Sequence, residues 1–420
     1  MNYQLSLSGA VLFIVNVIIG SGVFLNTVPL IITLGLNSYI AYIVTASIII
    51  PLVVTCFLLA REFPGKNLYE IFCYSNNTLG FIGTFCYSIS KIATSAIGIT
   101  VGSQICSLLL KNKNDDIFFF IIFGLFVLFF SWCNYRNYGI TFKIQCLIVV
   151  CKLFPLVTII ITMGYKLFTD HMLPSAMIIP YVPVDFYTIL STIPLIIFSF
   201  AGFESLFGIA SRVKNPEKNA SRTVLIGFIS VVIIYGIYQY FSSIVLYNKL
   251  PFFKTDSLYN LFLSIAEILE LPLYMGKLFC CAIAISALGV SYGVMYSNTR
   301  NIAHIIDKKK ESIWYIIIPI IISFYGYVFH DLLSILQQLS ATGTIITYII
   351  FAILYNSSHG NKSFIHRIFA CCSFFSVSIF MYVSYLNALS RGYVGYLLYF
   401  FIFILGCLLY FVKKFLCNIK

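Results

Sequence analysis

Ser199-Phe200-Ala201-Gly202-Phe203-Glu204-Ser205 sits inside the apolar run 188–210, and Gly20-Ser21-Gly22 sits inside the apolar run 11–30. In both places small and polar residues interrupt a helix long enough to cross a bilayer. Hydrocarbon offers no partner for a freed backbone N–H or C=O, so such a break persists only where it lines a cavity or meets a ligand. Interrupted segments at corresponding positions in two halves of a chain point to the substrate site of a membrane transporter.

The surrounding chain is built for lipid. Of its 420 residues, 60% are hydrophobic and only 10% charged, against roughly a quarter charged in soluble domains. Its runs are long and free of charge, which predicts helices rather than the alternating strands of a membrane barrel. The first run lacks a basic leader and continues into a full span, so no cleaved signal peptide is expected. Thirteen cysteines, including Cys280-Cys281 and Cys371-Cys372, lie in apolar runs without metal or redox spacing. They read as small hydrophobes. His304, His330, His359 and His366 show no ligand spacing either, so neither a metal nor a cofactor is expected.

At about 20 apolar residues per crossing, spans are predicted near 7–33, 38–60, 80–110, 117–133, 140–165, 188–210, 222–247, 273–299, 313–329, 332–355, 365–388 and 394–412. The expectation is an all-α integral membrane protein with twelve transmembrane helices. Seventeen Lys and Arg, among them Arg61, Arg136, Arg212, Lys308, Lys309, Lys310, Lys362 and Lys420, fall on one set of alternate loops and tails. Seven, including Lys113, Lys249 and Lys254, fall on the other, with Asp115, Asp116, Asp170, Asp256, Glu267 and Glu270. The positive-inside rule then puts both termini in the cytoplasm, in an inner or plasma membrane. Topology explains the net charge of +12 without a nucleic-acid partner. No loop is long enough for a separate soluble domain.

Glycine lets the chain leave helical geometry at Gly20-Ser21-Gly22. The N–H groups that open the second half-helix then favour an anion, for which a substrate carboxylate is the natural guest. Close helix packing through small residues is the competing explanation. In span 6, a break at Ala201-Gly202 frees carbonyls for a substrate ammonium, and Phe198 and Phe200 flank it as covers or as plain packing. Glu204 is a carboxylate inside the membrane, functional by default or else bonded to the freed backbone.

Ile18-Ile19-Gly20-Ser21-Gly22-Val23-Phe24-Leu25 resembles the first-helix motif of the amino acid–polyamine–organocation (APC) transporters. Phe200-Ala201-Gly202-Phe203-Glu204-Ser205, with Val213-Lys214-Asn215-Pro216-Glu217-Lys218-Asn219 after it, resembles that family's sixth helix. Further matches are Glu62-Phe63-Pro64-Gly65 and Ser286-Ala287-Leu288-Gly289. The resemblance implies a LeuT-type fold: a first five-helix repeat over 1–165, an inverted second over 188–355, and two further helices with a tail over 365–420. It also implies a substrate held between helices 1, 3, 6, 8 and 10. The implied site residues are Ile19, Gly20, Ser21, Gly22, Lys91, Ser95, Phe198, Ser199, Phe200, Ala201 and Gly202, with Lys152 and Glu204 in coupling or gating.

Two lysines lie within spans. Lys152 sits mid-span in Lys152-Leu153-Phe154-Pro155-Leu156, where an ammonium is costly unless paired. Desolvation works against the charged form of any amine, so a lysine at this depth is a candidate proton carrier. In proton-coupled relatives a lysine in this context takes the place of a sodium ion; the alternative is a structural amine tying span 5 to span 1. Lys91 in span 3 either faces the pocket, favouring a substrate with an extra negative group or repelling cationic ones such as arginine, or pairs with Glu204 or snorkels along the helix. Ser286, Ser291, Tyr292, Ser340, Thr342 and Thr344 offer hydroxyls that commonly satisfy helix backbones.

The expectation is a secondary transporter of amino acids or related amines, proton-coupled or sodium-independent, with an exchanger as the alternative. No phosphate loop is present, and the isolated acidic and histidine residues do not form an intramembrane catalytic cluster. A channel or an amino-acid sensor belongs to a different class. Substrate identity and oligomeric state are open.

Overall fold

A computed structural model of the chain describes residues 4–111, 116–135, 138–169, 186–247, 263–267, 270–306, 311–329, 333–357 and 364–418. Lys113, Arg136, Lys249, Lys254, Lys308, Lys309, Lys310, Lys362 and Lys420, with Asp115, Asp170, Asp256, His330 and His359, lie outside the described residues.

The long apolar runs are helices, because only a helix satisfies its own backbone in hydrocarbon. Span 1 is two helices, α1 (Leu7–Ile18) and α2 (Gly22–Leu34). They are followed by α3 (Ser38–Glu62), a short α4 (Leu68–Cys73), α5 (Asn77–Lys111), α6 (Asp116–Tyr135) and α7 (Tyr138–Thr169). Span 6 begins as α8 (Phe186–Ile196) and resumes after its break as α9 (Leu206–Ile209). Then come α10 (Pro216–Leu246), α11 (Leu273–Ile306), α12 (Glu311–Phe329), α13 (Leu333–Ser357), α14 (Phe364–Arg391) and α15 (Val394–Asn418). Local chemistry sets several starts: Ser6 caps α1, Asn67 and Glu70 form a capping box on α4, and Pro216 opens α10.

Among the described residues, seven helices are long and apolar enough to cross a membrane, or eight if the bent pair around residue 197 is one span. Leu7–Ile18, Ile317–Phe329, Cys371–Leu386 and Val394–Leu408 are shorter apolar helices. The difference from twelve has a physical origin at the amino terminus. There the break leaves α1 short, while α2 and α3 together make the apolar stretch Gly22–Glu62.

Helix α5 packs along α11 and α13, α3 along α10, and α6 against α12. Helix α1 is held by α7, α10 and α11. The molecule is polar inside and apolar outside: Asn16, Lys152, Glu204 and Gln239 are buried, whereas Leu128, Phe154, Ile161 and Phe401 are exposed. That arrangement suits a bilayer, where charged side chains turn inward. At one end Leu5 pairs with the strand-like segment after span 6, its N–H donating to the Arg212 carbonyl at 2.7 Å and its own carbonyl accepting from Lys214 N–H at 2.8 Å.

Candidate functional site

The break in span 1 begins at Ile19, which leaves helical geometry at φ −72°, ψ 100°. Helix α2 restarts at Gly22 without a side-chain cap, so its first N–H groups lie at a bare positive helix end. Gly22 is set by proximity: a Cβ there would lie 2.7 Å from Ser199 Oγ, across the second break, and Ser199 would have to shift.

Span 6 bends by 61°. A 3-10 turn covers Ile197–Phe200, Ala201 is extended, and Gly202 takes φ 130°, where an L side chain is strained. A Cβ on Gly202 would also meet Val17 Cγ1 at 2.9 Å. The chain can therefore turn against span 1 only with glycine at this position.

The two breaks are bound to each other. The Tyr235 hydroxyl of α10 lies 3.2 Å from the Ile18 carbonyl and 3.0 Å from the Ser199 carbonyl. Asn26 Nδ2 donates to Ser199 Oγ at 3.2 Å. Between the breaks lies a cavity of about 360 Å³, walled by Gly20, Ser21, Gly22, Phe198, Ser199, Ala201 and Gly202. Asn26 of α2, Lys91, Thr94 and Ile97 of α5, Val290 of α11 and Gln337, Ser340 and Thr344 of α13 are also in the wall. The volume is at the small end of small-molecule sites, which run from about 300 to 1,000 Å³.

At one wall Lys91 Nζ forms a buried ion pair with Glu204 Oε1. Glu204 Oε2 accepts from the Gly202 N–H at 3.0 Å and from the Tyr348 hydroxyl at 3.1 Å. The Lys91 ammonium also lies 5.1 Å from the centre of the Tyr87 ring, within range of a cation–π contact. Lys91 thus lines the cavity and pairs with Glu204 at the same time.

Lys152 lies behind the first break. Its Nζ donates to the carbonyls of Asn16 and Ile19, each at 2.6 Å, and Ser286 Oγ donates to the same Ile19 carbonyl at 3.2 Å. A cation is favourable at the carbonyl end of a helix. Asn16 is held by its side chain too, which donates to Gln145 Oε1 and, at 3.0 Å, to the Gly289 carbonyl.

Of the residues expected at a ligand, Gly20, Ser21, Gly22, Lys91, Phe198, Ser199, Ala201 and Gly202 share the cavity wall. Ile19, Ser95 and Phe200 stand behind it. The Ile19 carbonyl faces Lys152, the Ser95 carbonyl accepts from Ser291 Oγ at 2.9 Å, and the Phe200 ring packs on Tyr42 and Tyr235. Asn26, Thr94, Ile97 and Gln337 in the wall, and Tyr87 and Tyr348 at the ion pair, went unread in the sequence. Tyr87 had a signal, being one helical turn before Lys91; Tyr348 had none.

Among the described residues, no group of three or more His, Cys, Asp or Glu side chains is placed to hold a metal ion. No curated protein matches the chain. The amino acid permease family model matches residues 5–309, a stretch that contains both breaks, Lys91, Lys152 and Glu204. That match spans well over half the sequence, and the chain belongs to the APC-superfamily amino acid permeases.

Proposed function

We propose that this permease is a secondary active transporter that moves amino acids across the cytoplasmic membrane by alternating access. The observation that carries the reading is the meeting of two broken helices around one cavity. The start of α2 offers N–H groups to a substrate carboxylate, and the Ser199–Gly202 turn offers carbonyls to its ammonium. Phe198, in the wall beside them, covers the occupied site.

The scaffold in this reading is twelve membrane helices with both termini cytoplasmic. Repeats over 1–165 and 188–355 are related by inversion, and 365–420 adds two helices. Support comes from the packing of expected spans 2 on 7, 3 on 8 and 4 on 9, which are α3 on α10, α5 on α11 and α6 on α12. In these three pairs a helix packs on the one five places later, an arrangement that a twofold between the repeats would produce near its axis. Rocking one bundle of helices against the rest would open the cavity to each side in turn.

Lys152 supplies the coupling residue. Its ammonium sits among the carbonyls that end α1, next to the Ser286 hydroxyl, an oxygen-rich place suited to a small cation. A tethered ammonium there makes transport independent of sodium, and its deprotonation would couple uptake to protons.

Proteoliposomes holding the purified full chain test this. The expected result is uptake of labelled amino acid driven by an inward proton gradient and indifferent to sodium. Uptake that requires internal amino acid would make the protein an exchanger with Lys152 structural. Absence of uptake for every amino acid and amine tried would sink the transporter reading in favour of a sensor.

A further inference from the structure

We propose that Lys91 is the tethered occupant of a cation subsite, and that it restricts the permease to amino acids with uncharged side chains. This rests on the transporter reading and names its substrate class.

Glu204 is fully buried and stands behind the cavity wall, while Lys91 belongs to that wall. The carboxylate has two donors fixed by the fold, Gly202 N–H and the Tyr348 hydroxyl, both on Oε2. Oε1 receives Lys91. The Tyr87 ring presents its face to the same ammonium. A carboxylate oxygen beside an aromatic face is what a protein builds to recognise an organic cation. Here the cation is part of the chain, and Lys91 stands in the cavity wall where Glu204 does not.

The consequence is a charge-balanced wall. A lysine or arginine side chain entering the cavity meets an ammonium and finds the carboxylate already taken. An acidic side chain meets an ammonium already neutralised. The remaining wall is suited to an uncharged side chain. Ile97 and Val290 are apolar, and the Thr94 and Ser340 hydroxyls are 2.7 Å apart and bond to each other.

Two single substitutions read this balance from opposite sides. Lys91→Met keeps the stem but not the charge, leaving Glu204 Oε1 open to a ligand cation. Glu204→Gln keeps the shape but frees the Lys91 ammonium for a ligand anion. Uptake of labelled leucine, serine, arginine and glutamate is measured in proteoliposomes, with thermal unfolding of each purified protein to confirm folding and report binding.

The wild type is expected to take up leucine or serine at least tenfold better than arginine or glutamate. Lys91→Met should gain arginine uptake at least tenfold, and arginine should raise its unfolding midpoint while leaving the wild type unmoved. Glu204→Gln should gain glutamate, and Lys91→Met with Glu204→Gln should lose the arginine gain. If Lys91→Met does not fold, the isosteric Glu204→Gln decides: unchanged selectivity overturns the proposal. A wild type that carries leucine and arginine alike also overturns it while sparing the transporter reading. A wild type that carries no amino acid brings both down.

Discussion

Lys152 Nζ lies 2.6 Å from the carbonyl oxygen of Ile19, the residue at which span 1 leaves its helix. That contact fastens the break from behind, on the side away from the cavity. Lys152→Ala removes two charge-assisted hydrogen bonds, each worth about 1.5–3 kcal/mol. Uptake should fall by roughly tenfold or more and lose its response to a pH gradient, with protein still present in the membrane. An unaltered pH response would remove Lys152 from coupling.

The Tyr235 hydroxyl is within hydrogen-bond reach of both breaks. Its ring packs on Tyr42 and Phe200 at centroid distances of 5.4 and 5.3 Å, and Tyr235→Phe retains that packing. The substitution leaves buried carbonyls short of a donor, a loss of about 1–3 kcal/mol. A lower unfolding midpoint in detergent is expected. A midpoint equal to the wild type would show that the phenol does not bind the breaks together.

Gly22 and Ser199 face each other so closely that Gly22→Ala puts a methyl 2.7 Å from Ser199 Oγ. Ser199 must then rotate and give up its bond from Asn26. Gly22→Ala should impair uptake, and Ser199→Ala in the same protein should restore a good part of it. If the second change brings no recovery, the two residues are not coupled across the breaks.

Gly202 combines φ 130° with contact against Val17. Gly202→Ala therefore carries backbone strain of about 1–3 kcal/mol together with an overpacked methyl. Loss of uptake with a lowered unfolding midpoint is expected. A variant as stable as the wild type would contradict the conformation described here.

Glu204→Ala strands the Lys91 ammonium in the interior, where breaking a buried pair costs about 3–5 kcal/mol. Size-exclusion chromatography should show poorly folded protein, and adding Lys91→Met should recover a monodisperse peak. Equal profiles for the single and double variants would argue against a tight pair.

The breaks at Gly20–Gly22 and Ser199–Ser205 were visible in the chain itself, because hydrocarbon penalises every unpaired backbone group and small polar residues there must have a reason. The helices followed from the same rule, and the two lysines within spans were conspicuous because a charge in lipid is costly. Partnerships were hidden. Lys91 and Glu204 are 113 residues apart, and Tyr348 is 144 residues beyond the carboxylate it serves. Whether Lys91 faced a ligand, a partner or the headgroups depended on how α5 turns against span 6 and α11. A helix apolar on every side carries no pattern that distinguishes lipid-facing from protein-facing residues, so hydropathy is silent on that rotation. Packing settles it, through close approaches such as Gly98 of α5 against Ala287 and Ser291 of α11. The chain thus announces where its helices break and where its charges lie buried, while helix rotation sets which charge meets which.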